Sequence, residues 1–100
     1  MTVNVRVEGV DDERGAIRAH AAARVAAALR RFGREIGDVL VRIVDENGGR
    51  GGIDTRCRMV VTGSRIGVAM VEARAASARV AVDGAAPRLS RLVARPLDRV

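Results

Sequence analysis

The sequence predicts an α+β fold of order β-α-β-β-β-α, a four-stranded sheet with two helices on one face. Two observations lead to this prediction. Four short segments alternate apolar with polar residues, which is the period of a half-buried strand. Two longer segments repeat apolar residues every three or four positions, which is the spacing of a helix that buries one side.

The four strands are predicted from period-two alternation and from the turns that separate them. They cover Val3–Val7, Val39–Ile43, Ile53–Val61 and about Ile66–Glu72. Gly9 ends the first strand, and the pair Gly63-Ser64 turns the chain between the third and the fourth.

The first helix is predicted to begin after Asp11 or Asp12, either of which can cap its first turn, and to close near Gly33. Its buried stripe consists of Ile17, Ala21, Val25, Ala28, Leu29 and Phe32. The last helix is predicted over Ser77–Asp98, with a bend at Pro87, which points away from the apolar stripe. That stripe consists of Val82, Ala86, Leu89, Val93 and Leu97.

Each strand has one apolar face, so both helices should cover the same face of an antiparallel or mixed sheet. The opposite face is then left to solvent. It should display Arg6, Arg42, Arg56 and Arg58.

Length and composition favour one cytoplasmic domain over residues 1–100. Apolar residues make up 48% of the chain, which argues against disorder. No apolar run approaches the roughly 20 residues that span a bilayer, and the N-terminus lacks the apolar core of a signal peptide, so no membrane partner is expected. The single cysteine, Cys57, fits a reducing compartment.

The net charge is +6, and all 18 basic residues are arginine. Guanidinium groups bind phosphate in a fork geometry, so the composition is compatible with an RNA-binding protein. A GC-rich coding bias is the alternative explanation for the absence of lysine, because it favours arginine, alanine, glycine and valine together. That bias does not by itself require an excess of positive charge.

The stretch DENGGRGGID, residues 45–54, is predicted to be a hairpin loop. An EF-hand calcium site fails because Gly49 and Arg56 fall where oxygen ligands are needed. A phosphate loop of the Walker type needs a lysine and a following helix, and the chain has neither here. Asn-Gly and Gly-Gly pairs supply the positive φ angles of a tight reversal. Arg50 at its tip is a candidate RNA contact.

A helical wheel places arginines on one flank of each helix. In the last helix they are Arg88, Arg91, Arg95 and Arg99, and in the first helix His20 gathers with Arg24, Arg31 and Arg34. Two such stripes on adjacent helices would form a band of guanidinium groups, which is the electrostatic footprint of an RNA-backbone binder. The alternative is a pair of ordinary solvated faces. Surface aromatic residues for base stacking are absent, which favours recognition of structured RNA by its backbone and shape.

No catalytic, metal or cofactor site is predicted. His20 has no second histidine or cysteine to complete a site and is expected to be an exposed helix residue. Cys57 points with Met59 toward the predicted core, so a buried thiol is favoured over a nucleophile. Asp45, Glu46 and Asp54 form a local acid cluster that solvation of the hairpin explains as well as catalysis would.

The loop and the strand that follows it resemble the signature of a known family. The residues that carry the resemblance are Asp45, Asn47, Gly48, Arg50, Gly51, Gly52, Asp54, Arg56, Cys57 and Arg58. They are similar to short members of the ribosome hibernation-promoting factor family, also called ribosome-associated inhibitor or sigma-factor modulation protein. The helix ending in LRRFG, the strand VLVRIVD and the final arginine-bearing helix come in the family's order. Val80 stands where the family usually has an aromatic residue.

The resemblance implies a fold akin to double-stranded RNA-binding domains. It also implies binding in the small ribosomal subunit, where messenger and transfer RNA would lie, and a block of translation in resting or stressed cells. The leading hypothesis is therefore a cytoplasmic, non-enzymatic translation inhibitor that binds small-subunit rRNA. The candidate RNA contacts are Arg24, Arg31, Arg34, Arg50, Arg56, Arg58, Arg88, Arg91, Arg95 and Arg99. The rival hypothesis is a homodimeric protein-interaction module of the same fold that pairs through a sheet edge or its open face.

Overall fold

The computed structural model of the chain describes residues 1–46 and 54–98. It contains the strands β1 (Thr2–Glu8), β2 (Asp38–Asp45), β3 (Thr55–Gly63) and β4 (Gly67–Ala75), and the helices α1 (Ala16–Leu29) and α2 (Ala78–Leu97). Short 3₁₀ helices at Glu13–Gly15 and Arg30–Glu35 precede and follow α1. The predicted α+β class and the order β-α-β-β-β-α are confirmed.

The four strands form one mixed sheet in the order β1-β2-β3-β4. β1 pairs with β2 in parallel, and such a pair needs a crossover connection, which α1 provides. β2 and β3 pair antiparallel, with Asp45 opposite Thr55, and the N–H of Glu46 donates to the carbonyl of Asp54 at 2.9 Å. β2 and β3 therefore form the two arms of the predicted hairpin. Its turn, together with Arg50 and Ile53, lies outside the described residues.

Burial on the sheet follows the predicted period of two. The fully buried sheet residues are Val39, Val41 and Ile43 of β2 and Cys57, Met59 and Val61 of β3. Both helices cover this face, because α1 contacts β1 and α2 contacts β3 and β4. The main helical contributions to the core are Val25 and Leu29 of α1 and Val82, Leu89 and Val93 of α2. None of the described helices covers the other face of the sheet, in agreement with the prediction.

The start of α1 is more irregular than its sequence spacing suggests. Asp12 is the predicted cap that functions, because its Oδ1 accepts a hydrogen bond from the N–H of Ile17 at 2.6 Å. The regular helix begins only at Ala16, since Arg14 and Gly15 have φ angles of 57° and 71°. This left-handed pair turns the chain between the capping carboxylate and the first full helical turn.

The boundaries of α2 agree with the prediction. The hydroxyl of Ser77 accepts a hydrogen bond from the N–H of Val80 at 3.3 Å and caps the helix. The helix then continues through Pro87. The ring of Pro87 is exposed, and its missing N–H deprives only the carbonyl of Asp83, another exposed residue, of a helical donor. Water can satisfy that carbonyl, which makes this position compatible with proline.

The fourth strand extends further than predicted. It continues past Glu72 to Ala75, and Ala73 and Ala75 keep the core-facing side of the alternation. Alanine has a low strand propensity, so the sequence pattern alone does not reveal these last positions. Their pairing with Cys57 and Thr55 on β3 extends the ladder.

The end of β3 packs closely against the 3₁₀ helix Arg30–Glu35 at Gly63. A methyl group at Gly63 would collide with the backbone carbonyl oxygen of Glu35. We therefore expect Gly63→Ala to lower the free energy of unfolding by about 2–3 kcal/mol, as measured by urea denaturation. Gly33→Ala is the matched control, because a methyl group there meets no atom within 4 Å. Equal losses in the two variants would contradict this account of the packing.

Candidate nucleic-acid interface

Three arginines of α2 lie together on the flank of the helix that faces β4. Their spacing of three and four residues places Arg88, Arg91 and Arg95 on one side of the helix. With Met70, Val71 and Leu92 they line a shallow groove of about 370 Å³, called here the arginine groove.

Arg88 is held in place by the edge of the sheet. Its NH1 donates a hydrogen bond of 2.7 Å to the backbone carbonyl of Glu72 on β4. β4 is an edge strand, so this carbonyl has no neighbouring strand on that side, and the guanidinium covers it. The contact orients Arg88 and leaves its other N–H groups available.

Arg91 and Arg95 are both exposed. Neither forms an ion pair with any residue in the part of the chain that the structure describes. A phosphate oxygen can therefore bind these guanidinium groups without displacing a carboxylate. Charge-assisted hydrogen bonds from arginine to phosphate are among the stronger polar contacts available to a protein.

Arg24 of α1 and Arg31 of the following 3₁₀ helix are in a different situation, because they face Asp83 of α2 and Asp98 at its C-terminal end. Arg24 Nε lies 3.1 Å from Asp83 Oδ1, and Arg31 NH2 lies 3.5 Å from Asp98 Oδ2. Arg31 also stacks over the ring of Phe32, with 4.4 Å between its guanidinium carbon and the ring centroid. The predicted band of guanidinium groups is therefore interrupted by two carboxylates between the helices.

His20 belongs to the same contact between the helices. Its Nε2 lies 2.8 Å from Asp83 Oδ1, and its side chain is only 17% exposed. The expectation of a freely exposed histidine is thus corrected. Asp83 Oδ1 is close to both His20 and Arg24, but the buried Nε of Arg24 forms no hydrogen bond. The Arg24–Asp83 contact is therefore an electrostatic one.

The arginines of the open sheet face are matched by glutamates. Arg58 Nε donates to Glu72 Oε2 at 3.0 Å, and Arg56 lies 3.9 Å from Glu72 and 3.8 Å from Glu46. A phosphate group would have to compete with these carboxylates.

Arg42 is paired on the same face, with nitrogen-to-oxygen distances of 3.0 and 3.2 Å to Glu8. Hydrogen bonding and the charge of Arg42 hold the pKa of the Glu8 carboxyl below its usual value. The same contact raises the pKa of Arg42. Both groups therefore stay charged near neutral pH.

The remaining candidate contacts are distributed as follows. Arg34 is exposed in the 3₁₀ helix that follows α1 and forms no ion pair with the described residues. Arg50 and Arg99 lie outside the described residues. The arginine groove is thus the place where the structure brings several of the predicted residues together without an ion pair to any described residue.

A larger cavity, of about 470 Å³, lies at the opposite end of the sheet. Its lining includes Asp11 and Asp45 as well as Arg79, and the apolar side chains of Val10 and Ile17. Carboxylates at its border disfavour phosphate by charge repulsion. The arginine groove is smaller but has the better electrostatics for a nucleic-acid backbone.

Other kinds of site find little support among residues 1–46 and 54–98. The thiol of Cys57 is fully buried, and burial raises its pKa to about 12, so it is a poor nucleophile near neutral pH. In those ranges no three side chains of the types His, Cys, Asp and Glu cluster closely enough to hold a metal ion. None of the helices described there is long and apolar enough to cross a membrane.

Sequence reasoning missed three residues that shape this surface. The backbone carbonyl of Glu72 anchors Arg88, and backbone atoms leave no signal in a side-chain pattern. Asp83 could have been placed on the flank of α2 away from the arginines by the same helical wheel. Its partner His20 is 63 positions away in sequence, so the contact itself is a tertiary one. Met70 borders the groove because α2 crosses beside β4.

No protein-family model and no curated protein sequence matches the chain. Solved structures with the same fold include the following two. The N-terminal domain of Protein Y from Thermus thermophilus is 22% identical, with a TM-score of 0.73, and the match covers 95% of this chain and 98% of that one. A ribosomal subunit interface protein from Coxiella burnetii is 15% identical, with a TM-score of 0.75, and the match covers 99% and 100%. The shared fold is the one that the resemblance in the sequence implies.

The buried thiol predicts a loss of stability at alkaline pH. The folded chain keeps the Cys57 proton up to about pH 12, whereas an unfolded thiol ionises at about pH 8.5. The unfolded state therefore binds fewer protons between these values, and the free energy of unfolding should fall by up to about 1.4 kcal/mol per pH unit. Urea denaturation at several pH values between about 8.5 and 11 measures this slope.

Cys57→Ala is the control for that slope. The chain contains no tyrosine and no lysine, so no other side chain ordinarily titrates in this window. The variant should be less stable at neutral pH but should show a nearly flat pH dependence. The same slope in the variant and in the wild type would assign the alkaline loss to another cause.

Proposed function

We propose that this chain, over residues 1–100, is a single ribosome-associated-inhibitor-like domain of the hibernation-promoting factor family. In this proposal it binds the rRNA of the small ribosomal subunit in the cytoplasm and restrains translation in resting or stressed cells. The observation that carries the proposal is the arginine groove, an unneutralised set of guanidinium groups on a fold shared with a ribosomal subunit interface protein.

The groove supports binding to a phosphate backbone. Arg91 and Arg95 are exposed, and Arg88 is already oriented by its hydrogen bond to Glu72. Oriented donors lose less side-chain freedom when they bind, which favours affinity. The net charge of +6 adds long-range attraction to a polyanion.

The scarcity of aromatic residues limits how this surface can recognise RNA. The only aromatic residue in the chain, Phe32, is buried. Bases of a single strand therefore have no exposed ring on which to stack. Contacts to phosphates, arranged to match a folded RNA, are the remaining way to bind rRNA specifically.

The arginines of α1, of the following 3₁₀ helix and of the open sheet face act as secondary contacts in this proposal. Exposed ion pairs such as Arg31–Asp98 contribute only about 0–1 kcal/mol, so a phosphate can displace the carboxylate at small cost. Arg24 and Arg58, whose side chains are 42% and 43% exposed, can exchange partners in the same way, whereas Arg56, at 25%, would do so at a greater cost. Arg34 needs no such exchange.

Reversing charge in the groove should weaken binding and reduce its salt dependence. We expect Arg91→Glu/Arg95→Glu to lower the affinity for purified small ribosomal subunits, measured by co-sedimentation at increasing salt. The wild type should lose affinity steeply with salt, and each phosphate contact removed should reduce the slope by roughly 0.7–0.9 log units per log unit of salt.

Arg6→Glu/Arg14→Glu is the matched control, because it changes the net charge by the same amount at two arginines outside the groove. Neither Arg6 nor Arg14 forms an ion pair with a described residue. Equal losses in the two variants would mean that net charge, rather than the groove, determines binding. Pelleting that does not respond to salt would rule out the phosphate mechanism.

Removing the carboxylate of Asp83, which lies between the helices, should raise the affinity for RNA instead of lowering it. We expect Asp83→Asn to raise the affinity for small subunits by up to about fivefold, because Arg24 no longer has to leave a carboxylate. Asp38→Asn removes the same charge from the open sheet face and should have a smaller effect. An unchanged affinity in Asp83→Asn would show that Arg24 is not part of the RNA-binding surface.

A further inference from the structure

The open face of the sheet carries a row of partly to largely exposed apolar side chains, of which only Met70 also borders the arginine groove. Leu40, Val60 and Met70 lie opposite one another on β2, β3 and β4, and they are called here the apolar row. Leu40 is 46% exposed and Met70 52% exposed. Phosphate binding gives no reason for such a row, and adjacent exposed apolar residues commonly mark a protein interface.

Charged residues flank the apolar row on the same face. Asp38 lies two residues before Leu40 on β2, and Arg42 lies two residues after it, so all three side chains point to the same side of the sheet. Asp38 forms no ion pair with the residues that the structure describes. One side of the apolar row therefore presents the carboxylate of Asp38. The other side presents Arg42, which donates from Nε and NH2 to Glu8 and keeps its NH1 group for a second carboxylate, beside the Arg58–Glu72 pair.

We propose that this face binds a second copy of the chain, with the two-fold axis of the dimer running along the apolar row. A rotation about that axis places the row of one copy on the same row of the other. It also places Asp38 of each copy opposite Arg42 of the other, because the two residues are equally far from Leu40 along the strand. A two-fold interface must be complementary to itself, and the placement of Asp38 opposite Arg42 meets that condition.

The size of the face indicates a weak dimer. Four strands spaced about 4.8 Å apart, each about 25 Å long, give a face of about 500 Å² per copy. The interface then buries about 1,000 Å² in total, at the lower limit for a specific contact. The two sheets would pack face to face with strands rotated by about 30°, as in a sandwich of twisted sheets. Association should therefore depend on concentration.

Sedimentation velocity of the protein alone, from roughly 10 µM to 1 mM, tests the proposal. The wild type should shift from the mass of a monomer toward that of a dimer. Leu40→Asp places a charge against its own copy on the axis and should weaken association at least about tenfold. Val80→Asp, the same change at a residue 60% exposed on α2, should associate like the wild type.

A mixing experiment tests the predicted ionic contact. Asp38→Arg alone and Arg42→Asp alone each oppose like charges across the axis and should stay monomeric. In an equimolar mixture, position 38 of each variant faces a residue of opposite charge at position 42 of the other variant, so a heterodimer should form. Circular dichroism confirms that both variants are folded, since Arg42→Asp also loses the bonds to Glu8.

A wild type that stays monomeric across the whole range overturns the proposal, as does Leu40→Asp that associates like the wild type. A mixture that associates no better than its components overturns the predicted pairing. These experiments contain no ribosomes or RNA. Their failure would therefore leave the proposed ribosomal function intact, and a failure to bind small subunits would leave the dimer untouched.

Discussion

Burial of a single face of the sheet beneath both helices is the constraint on which the rest of the structure depends. The apolar side of α2, with Val82, Leu89 and Val93, is buried against the core side of β3 and β4 and against α1. That packing brings one polar flank of the helix beside the edge strand β4. Arg88 then reaches the carbonyl of Glu72, and the arginine groove forms next to it. The position of the charged surface is thus a consequence of how the apolar residues pack.

The distribution of carboxylates divides the arginines into two classes. Between the helices, Asp83 and Asp98 offset the charges of Arg24 and Arg31. On the other flank of α2, the exposed arginines of the groove form no ion pair within the described part of the chain. Three of the arginines without an ion pair to a described residue, Arg88, Arg91 and Arg95, are therefore grouped along the border of β4. Glu72 connects two surfaces there, because its carboxylate binds one arginine of the sheet and its carbonyl binds one arginine of the helix.

The two proposed surfaces share a border at Met70, which lies both in the apolar row and at the arginine groove. The two surfaces respond differently to salt. Contacts to phosphate weaken as salt screens charge, whereas contact between apolar rows is little affected by screening. A protein that uses both surfaces would present its groove at the rim of a dimer. Whether dimer formation affects RNA binding then depends on how the dimer contact at Met70 leaves the adjacent groove.

Periodicity in the sequence was enough to determine the order of the elements, the buried face of each strand and the flank of α2 that carries the arginines. The length of β4 could not be determined in this way, because alanine gives no clear strand signal. Only the tertiary structure decided which arginines keep an uncompensated charge. The contacts of His20 with Asp83 and of Arg88 with Glu72 join different elements, and both depend on how α2 lies relative to α1 and β4. A pattern along one segment describes which way a side chain points from its own helix or strand. It carries no information about the charge or the carbonyl that another segment places opposite.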